Sequence, residues 1–209
     1  MASTSLETRK LSQIGLLAAL VILLGYMPMK VGAIEMTLMM IPVAFGAVII
    51  GPLAGGILGG VFGLISFLQC FGILGFPPSA FGSFVFGLNP LGTIFMCFVP
   101  RIIMGVAVGW IFIGLEKVDK THFFSYFVAN ISGALLNTLL FMGSLVAIFW
   151  NNQEFIAQMN EWGLATENLG AFLVAFVGLN GIVEAAVCAV LGTSVSKGVN
   201  TALKKMHSN

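Results

Sequence analysis

Between Glu35 and Glu116 the chain carries a single charged residue, Arg101. It stands in Val99-Pro100-Arg101, just ahead of Ile102-Ile103-Met104-Gly105. So long a stretch with one charge cannot cover a water-soluble domain, where about a quarter of residues are charged. The rest of the chain keeps the pattern: of 209 residues, 58% are hydrophobic and 8% charged. The chain is therefore expected to be an all-α integral membrane protein. Burying an arginine in such a segment costs roughly 2.5–3.5 kcal/mol on insertion scales. Arg101 thus needs a partner, a water-filled cavity or an anionic ligand.

A transmembrane helix needs about 20 predominantly apolar residues. Six segments meet that need: Leu11 to Met29, Ile34 to Ile50, Leu53 to Leu74, Leu91 to Leu115, Phe123 to Trp150 and Leu169 to Ser196. Gly51-Pro52 separates the second from the third, because proline cannot continue a helical hydrogen-bond ladder. Gly75 to Pro90 is apolar but rich in breakers, and it is expected to be a long loop folded back on the protein. Asn151 to Asn168 is a polar loop. Residues 1–209 are expected to form one six-helix domain, and the sequence shows no clear internal repeat. The first apolar run lacks a small-residue cleavage site and is expected to stay as a span.

Six spans place both termini on one side. Arg9, Lys10, Lys117, Lys120, Lys197, Lys204 and Lys205 fall on that side, and Lys30 falls opposite. The positive-inside bias makes the shared side cytoplasmic. The outer loops are then Lys30 to Ala33, Gly75 to Pro90 and Asn151 to Asn168. The aromatic residues near them, including Phe76, Phe81, Phe84, Phe86, Trp150 and Trp162, are expected mainly as an interfacial belt, with some phenylalanines of Gly75 to Pro90 as candidates for a lid over the mouth.

On this topology Arg101 lies in the outer half of the fourth span. The fifth span carries Asn130 and Asn137, seven apart and so on one face. The sixth carries Asn180 and Glu184, four apart and likewise on one face. Two arrangements suit these groups. In the first, Arg101, Asn137, Asn180 and Glu184 line an outward-opening pocket. A ligand carboxylate would pair with Arg101, and the asparagines and Glu184 would meet amides or hydroxyls. In the second, Arg101 and Glu184 form a buried ion pair, with the asparagines as interhelical glue. Asn89 either caps the fourth span or touches ligand.

Small residues recur at four-residue spacing in two spans. Gly15 and Ala19, with Ala18 beside them, lie in the first; Gly51, Gly55, Gly59 and Gly63 lie in the third. Such spacing lets helix backbones approach closely. For the third span packing within the bundle is expected; for the first an intermolecular contact competes with it.

Several function classes find no support. Net charge is +1, which leaves no nucleic-acid footprint. The glycine-rich Gly51-Pro52-Leu53-Ala54-Gly55-Gly56 lacks the Gly-Lys-Ser/Thr of a phosphate loop. Cys70, Cys97 and Cys188 match no metal spacing and read as small buried residues. No nucleophile, base and orienter triplet stands out. No cofactor, metal or catalytic residue is expected, and uphill transport would need a gradient or another subunit.

The order of motifs resembles a known family. Gly15-Leu16-Leu17-Ala18-Ala19, then Glu35-Met36-Thr37-Leu38-Met39-Met40-Ile41-Pro42, then Gly51-Pro52-Leu53-Ala54-Gly55, then Asn89-Pro90 and Pro100-Arg101 are similar to the S component of energy-coupling factor vitamin transporters. The resemblance implies a membrane subunit that captures a water-soluble vitamin from outside. It also implies association with a transmembrane coupling subunit and two ATPases, which would hydrolyse ATP in its place. Gly15, Ala18 and Ala19 stand where the family's first-span motif contacts the coupling subunit, although no full alanine series is present. The pantothenate type is the most similar, and its carboxylate, amide and hydroxyls complement Arg101, Asn137 and Glu184. Riboflavin, folate, pyridoxine and hydroxymethylpyrimidine types remain alternatives, as does a stand-alone gradient-driven carrier.

Overall fold

The structure is a computed structural model that describes residues 2–27, 29–31, 34–36, 38–119, 123–164 and 167–188. Side chains are described for these except at 2–6, 29–31, 34–36, 123, 178–185 and 187. Among the described residues, eight α-helices and one short hairpin follow in order: α1 (Ala2–Gly25), β1 (Met29–Val31), β2 (Ile34–Met36), α2 (Met40–Ile49), α3 (Pro52–Gln69), α4 (Ala80–Leu88), α5 (Pro90–Glu116), α6 (Phe123–Phe149), α7 (Gln153–Glu161) and α8 (Leu169–Val187). Among the described residues, four helices are long and apolar enough to cross a membrane: those over Glu7–Gly25, Pro52–Gln69, Pro90–Glu116 and Phe124–Phe149. Leu11, Leu53, Leu91, Trp110, Leu139 and Val174 are exposed on the helices, which suits a lipid surround and not water. The chain is an integral membrane protein.

The breaks between helices follow local chemistry. Gly51 adopts φ 125°, which a side chain would oppose, and Pro52 opens α3 where its missing N–H costs nothing. Asn89 and Pro90 repeat that logic at α5: the Asn89 side chain accepts from the Gly92 N–H at 2.9 Å. Ser79 caps α4 through the Gly82 N–H, and Asn152 caps α7 through the Glu154 and Phe155 N–H groups.

Three segments differ from the sequence reading. The apolar run Ile34 to Ile50 is not one helix. Its start pairs backward as a hairpin, with Lys30 opposite Glu35 in register, and α2 holds only 10 residues. At 1.5 Å per residue α2 spans about 15 Å, half a hydrocarbon core of about 30 Å. The loop expected over Gly75 to Pro90 contains α4, because Ser79 supplies a cap ahead of an apolar run. The polar loop Asn151 to Asn168 contains α7, whose Phe155 and Met159, four apart, are both buried. The sixth expected span begins as α8, and residues beyond 188 lie outside the described residues.

Two apolar clusters build the interior. One joins α1, α2, α3, α5 and α6 through residues such as Val21, Val43, Leu58, Phe62 and Met104. The other joins α4, α5, α6, α7 and α8 through Val85, Met96, Leu145, Phe155, Met159 and Phe172. Of the aromatic residues expected as a belt, Phe81, Phe84, Trp150 and Trp162 pack against this second cluster, while Phe86 meets Phe67 and Phe71. Trp162 lies 5.9 Å from Phe84 and 6.3 Å from Phe81, and Trp150 lies 5.3 Å from Phe172. Phe76, also read as belt, is buried and stacks on Tyr26 at 4.2 Å.

The glycine stripe of α3 fixes its distance from α5, as packing within the bundle requires. A Cβ at Gly55 would fall on the Gly105 carbonyl, and one at Gly59 on the Arg101 carbonyl. A Cβ at Gly63 would lie 2.7 Å from the Cys97 carbonyl oxygen. Only bare backbone permits such contact. α3 therefore rests directly on the stretch of α5 that carries Arg101.

Candidate functional site: a cavity walled by Arg101

Arg101 lies where the two clusters meet. Its residue is 8% exposed. Its guanidinium carbon is 5.4 Å from the centre of the Phe62 ring and 4.9 Å from that of Phe141. Phe62 belongs to the first cluster and Phe141 packs against the second. The guanidinium also donates to the Met96 carbonyl one turn back along α5. A desolvated cation over an aromatic face gains up to about 2 kcal/mol per ring. Two rings and a carbonyl thus offset a burial cost of roughly 2.5–3.5 kcal/mol.

The guanidinium forms part of the wall of a cavity of about 120 Å³. At about 10–15 Å³ per water-sized position, the space suits a small organic ligand or its replacement waters. α3 contributes Ser66 and Gln69, with Cys70 at its end. Ser79, Phe81 and Gly82 come from the start of α4, and Met96 and Cys97 from α5. Phe141 of α6 and Phe176 of α8 complete the lining. The wall is thus mostly apolar, with one guanidinium, one amide and hydroxyls converging on it. That composition is characteristic of a small-molecule site.

Gln69 is buried, and its side-chain Nε2 donates to the Gly25 carbonyl at the end of α1, at 2.9 Å. The same side chain lines the cavity. It therefore ties the cavity wall to α1.

The residues singled out from the sequence divide as follows. Arg101 is in the wall. Asn89 is outside it, with Oδ1 engaged as the cap of α5. Asn137 is half-buried on α6, one turn from Phe141 and on the same face. Its Oδ1 is buried and has no hydrogen-bond partner among the described residues. Asn130 is buried, but its Nδ2 donates to Tyr126 of its own helix, not across to another. Asn180 and Glu184 follow Phe176 along α8 at intervals of four; their side chains lie outside the described residues, and so does a pairing of Glu184 with Arg101. On α1, Gly15 and Ala19 are exposed beside Leu16 and Leu20, while Ala18 packs against the first cluster.

Sequence reasoning did not single out Ser66, Gln69, Cys70, Cys97 or Phe141 as wall residues. Two signals were available. Ser66 and Gln69 are polar residues three apart in an otherwise apolar span, and Cys97 is one turn before Arg101.

Comparison with known proteins agrees with this architecture. The family described as "ECF transporter, substrate-specific component" matches residues 9–195. A protein of Leuconostoc mesenteroides subsp. mesenteroides named pantothenate transporter PanT is 30% identical over 174 residues, 81% of this chain and 78% of its own. One of Lactococcus lactis subsp. cremoris named pantothenic acid transporter PanT is 28% identical over 168 residues, 78% of this chain and 76% of its own. The chain belongs to the substrate-specific components of energy-coupling factor transporters.

Proposed function

We propose that this chain captures pantothenate from outside the cell and delivers it inward as the S component of an ATP-driven transporter. The observation that carries the reading is Arg101, a buried guanidinium in the wall of a largely apolar cavity. Pantothenate is an anion with an apolar gem-dimethyl group, an amide and two hydroxyls. A guanidinium offers its carboxylate a bidentate, charge-assisted pair. Ser66 and Gln69 supply hydroxyl and amide groups. The names of the two relatives support the same ligand.

Asn137, Asn180 and Glu184 are proposed to meet the hydroxyls and amide at the α6 and α8 side of the ligand. Asn89 is proposed to act from a distance, by holding the first turn of α5. Gly15, Ala18 and Ala19 are proposed to form the contact with the transmembrane coupling subunit. Two ATPase subunits would supply the energy. The proposed membrane arrangement is six crossings with both termini cytoplasmic, as the distribution of Lys and Arg favours. The short α2 would complete its crossing together with neighbouring segments.

Reconstitution tests the reading. Vesicles holding this chain with the coupling subunit and both ATPases should accumulate labelled pantothenate only when ATP is supplied. Accumulation by this chain alone, driven by an ion gradient, would instead identify a self-sufficient carrier.

A further inference from the structure

We propose that Gln69 sets ligand specificity: its amide is locked so that the oxygen, Oε1, is the end left to the cavity, and that acceptor selects a ligand with an N–H close to its carboxylate. This role rests on the pantothenate reading and assigns the group that recognises the ligand's amide. Gln69 is 4% exposed and lines the cavity together with Arg101. A side-chain amide has a donor end and an acceptor end, and the structure fixes which end goes where.

The lock lies at the end of α1. The last carbonyls of a helix have no partner within it. Here the N–H groups of Tyr26 and Met27 turn back to the Leu23 and Leu24 carbonyls, and the Gly25 carbonyl takes Gln69 Nε2 at 2.9 Å. A carbonyl only accepts, so the NH2 end of the amide must face Gly25, and the two ends cannot exchange places. Apolar groups cover Gly25: a Cβ there would lie 2.6 Å from Ile65 Cγ2 and 3.1 Å from Phe76 Cε1. The Gln69 backbone is pinned as well. Its carbonyl accepts from the Ser79 N–H at 2.9 Å and from the Gly72 N–H at 3.3 Å. An acceptor held through both its backbone and its amide is preorganised, the condition under which one hydrogen bond discriminates between ligands.

Helix register brings Gln69 and Arg101 to one ligand. Gly55 rests on Gly105, Gly59 on Arg101 and Gly63 on Cys97, so α3 and α5 run antiparallel. Helical side chains lean toward the N-terminus of their own helix. Gln69 lies ten residues beyond Gly59, about 15 Å along the axis, and leans back toward it. Arg101 leans toward Met96, whose carbonyl it meets, and so toward the level of Gln69. The two side chains enter the same cavity from opposite directions. In pantothenate two methylenes separate the carboxylate from the amide N–H. With the carboxylate on Arg101, that N–H is the nearest donor and the match for Oε1. The N–H and C=O of a trans amide point opposite ways, which leaves the ligand's amide carbonyl to Asn137 on α6.

Calorimetric titration of the purified full-length protein compares pantothenate with its depsi analogue, in which an ester oxygen replaces the amide N–H. The ester cannot donate, and it sets an oxygen against Oε1. The wild-type protein should bind pantothenate about tenfold or more tightly than the ester, as expected when a buried acceptor is left unpaired. Gln69→Leu and Gln69→Met should bring that ratio down to about threefold or less. Both variants should keep the preference for pantothenate over pantothenol, which belongs to Arg101. A Gln69 that served only the fold would weaken amide and ester alike and leave their ratio as in the wild type. That result, or equal binding of amide and ester by the wild-type protein, overturns this role for Gln69 and leaves the vitamin reading standing. The wild-type comparison decides even where the variants fail to fold. Binding of neither ligand by the wild-type protein overturns the vitamin reading, and the role of Gln69 with it.

Discussion

The Arg101 guanidinium donates to the carbonyl of Met96, the carbonyl that Pro100 leaves without its helical donor. In an α-helix the N–H of residue 100 would serve the carbonyl of residue 96, and proline has no N–H. The proline thus creates an acceptor, and the next residue's side chain turns back to fill it. One guanidinium N–H is fixed this way, and a guanidinium carries five. The sequence pair Pro100-Arg101 is in this sense one device: it orients a buried cation within the cavity wall.

Replacing Pro100 by alanine should dissolve that device. The new N–H would claim the Met96 carbonyl, and the guanidinium would lose an anchor. The helix itself should gain, since an interior proline costs about 3 kcal/mol. Pantothenate affinity should fall by about 0.5–1.5 kcal/mol, the net worth of one hydrogen bond. A variant that melts higher in detergent yet binds more weakly in titration is the expected outcome. Unchanged affinity would mean that the Met96 contact does not orient Arg101.

The α3–α5 contact makes a sharp contrast between neighbouring glycines. Gly59→Ala would place a methyl on the Arg101 carbonyl and 3.1 Å from the Ile102 Cα. Overpacking of this kind costs about 1–3 kcal/mol. At Gly60 the nearest atom to an added Cβ is Ile102 Cγ1 at 3.9 Å. Gly60→Ala should therefore be neutral, or stabilising by up to about 1 kcal/mol because alanine loses less backbone entropy. Thermal unfolding of the two variants in one detergent should separate them, Gly59→Ala melting lower and Gly60→Ala not. Equal melting temperatures would argue against direct backbone contact between α3 and α5.

Gln69 links the cavity to α1 through a buried bond, so its loss should be felt. Gln69→Leu keeps the size but leaves the Gly25 carbonyl without its donor, at about 1–3 kcal/mol. Tyr26→Phe removes another link nearby, from the Tyr26 hydroxyl to the Leu74 carbonyl at 2.9 Å, but in an exposed place. That change should stay within about 0.5 kcal/mol. Denaturation of both variants side by side checks the ranking.

The ring of Phe141 should matter through Arg101. Phe141→Leu should destabilise the wild-type protein by about 0.5–2 kcal/mol more than it destabilises an Arg101→Met background. A double-mutant cycle on unfolding free energies isolates that difference. A coupling of zero would reduce Phe141 to ordinary packing.

How far the sequence alone reaches can be judged from these residues. Arg101 was legible because one charge in so long an apolar stretch has few physical explanations. The close packing of α3 was legible because glycine at four-residue spacing has no side chain to do anything else. The division of Ile34 to Ile50 was not legible, since an apolar run has the same composition in a buried helix as in a hairpin strand and a short helix. The caps Ser79 and Asn152 were visible signals of α4 and α7, outweighed by glycine and polar content. The wall itself was hidden for a different reason. Phe141, Phe176 and Cys70 lie far from Arg101 in sequence, and only tertiary packing selects them from 19 phenylalanines and 3 cysteines.

The most direct test compares two ligands that differ only at the group Arg101 is assigned to hold. Pantothenate carries a carboxylate where pantothenol carries an alcohol. Calorimetric titration of the purified protein should show saturable pantothenate binding and a preference over pantothenol of about 1.5–3 kcal/mol, the worth of a charged hydrogen bond. Arg101→Met should erase most of that preference. Equal affinity for the two ligands in the wild-type protein, or a preference that survives Arg101→Met intact, would contradict the assignment of Arg101 as the carboxylate anchor.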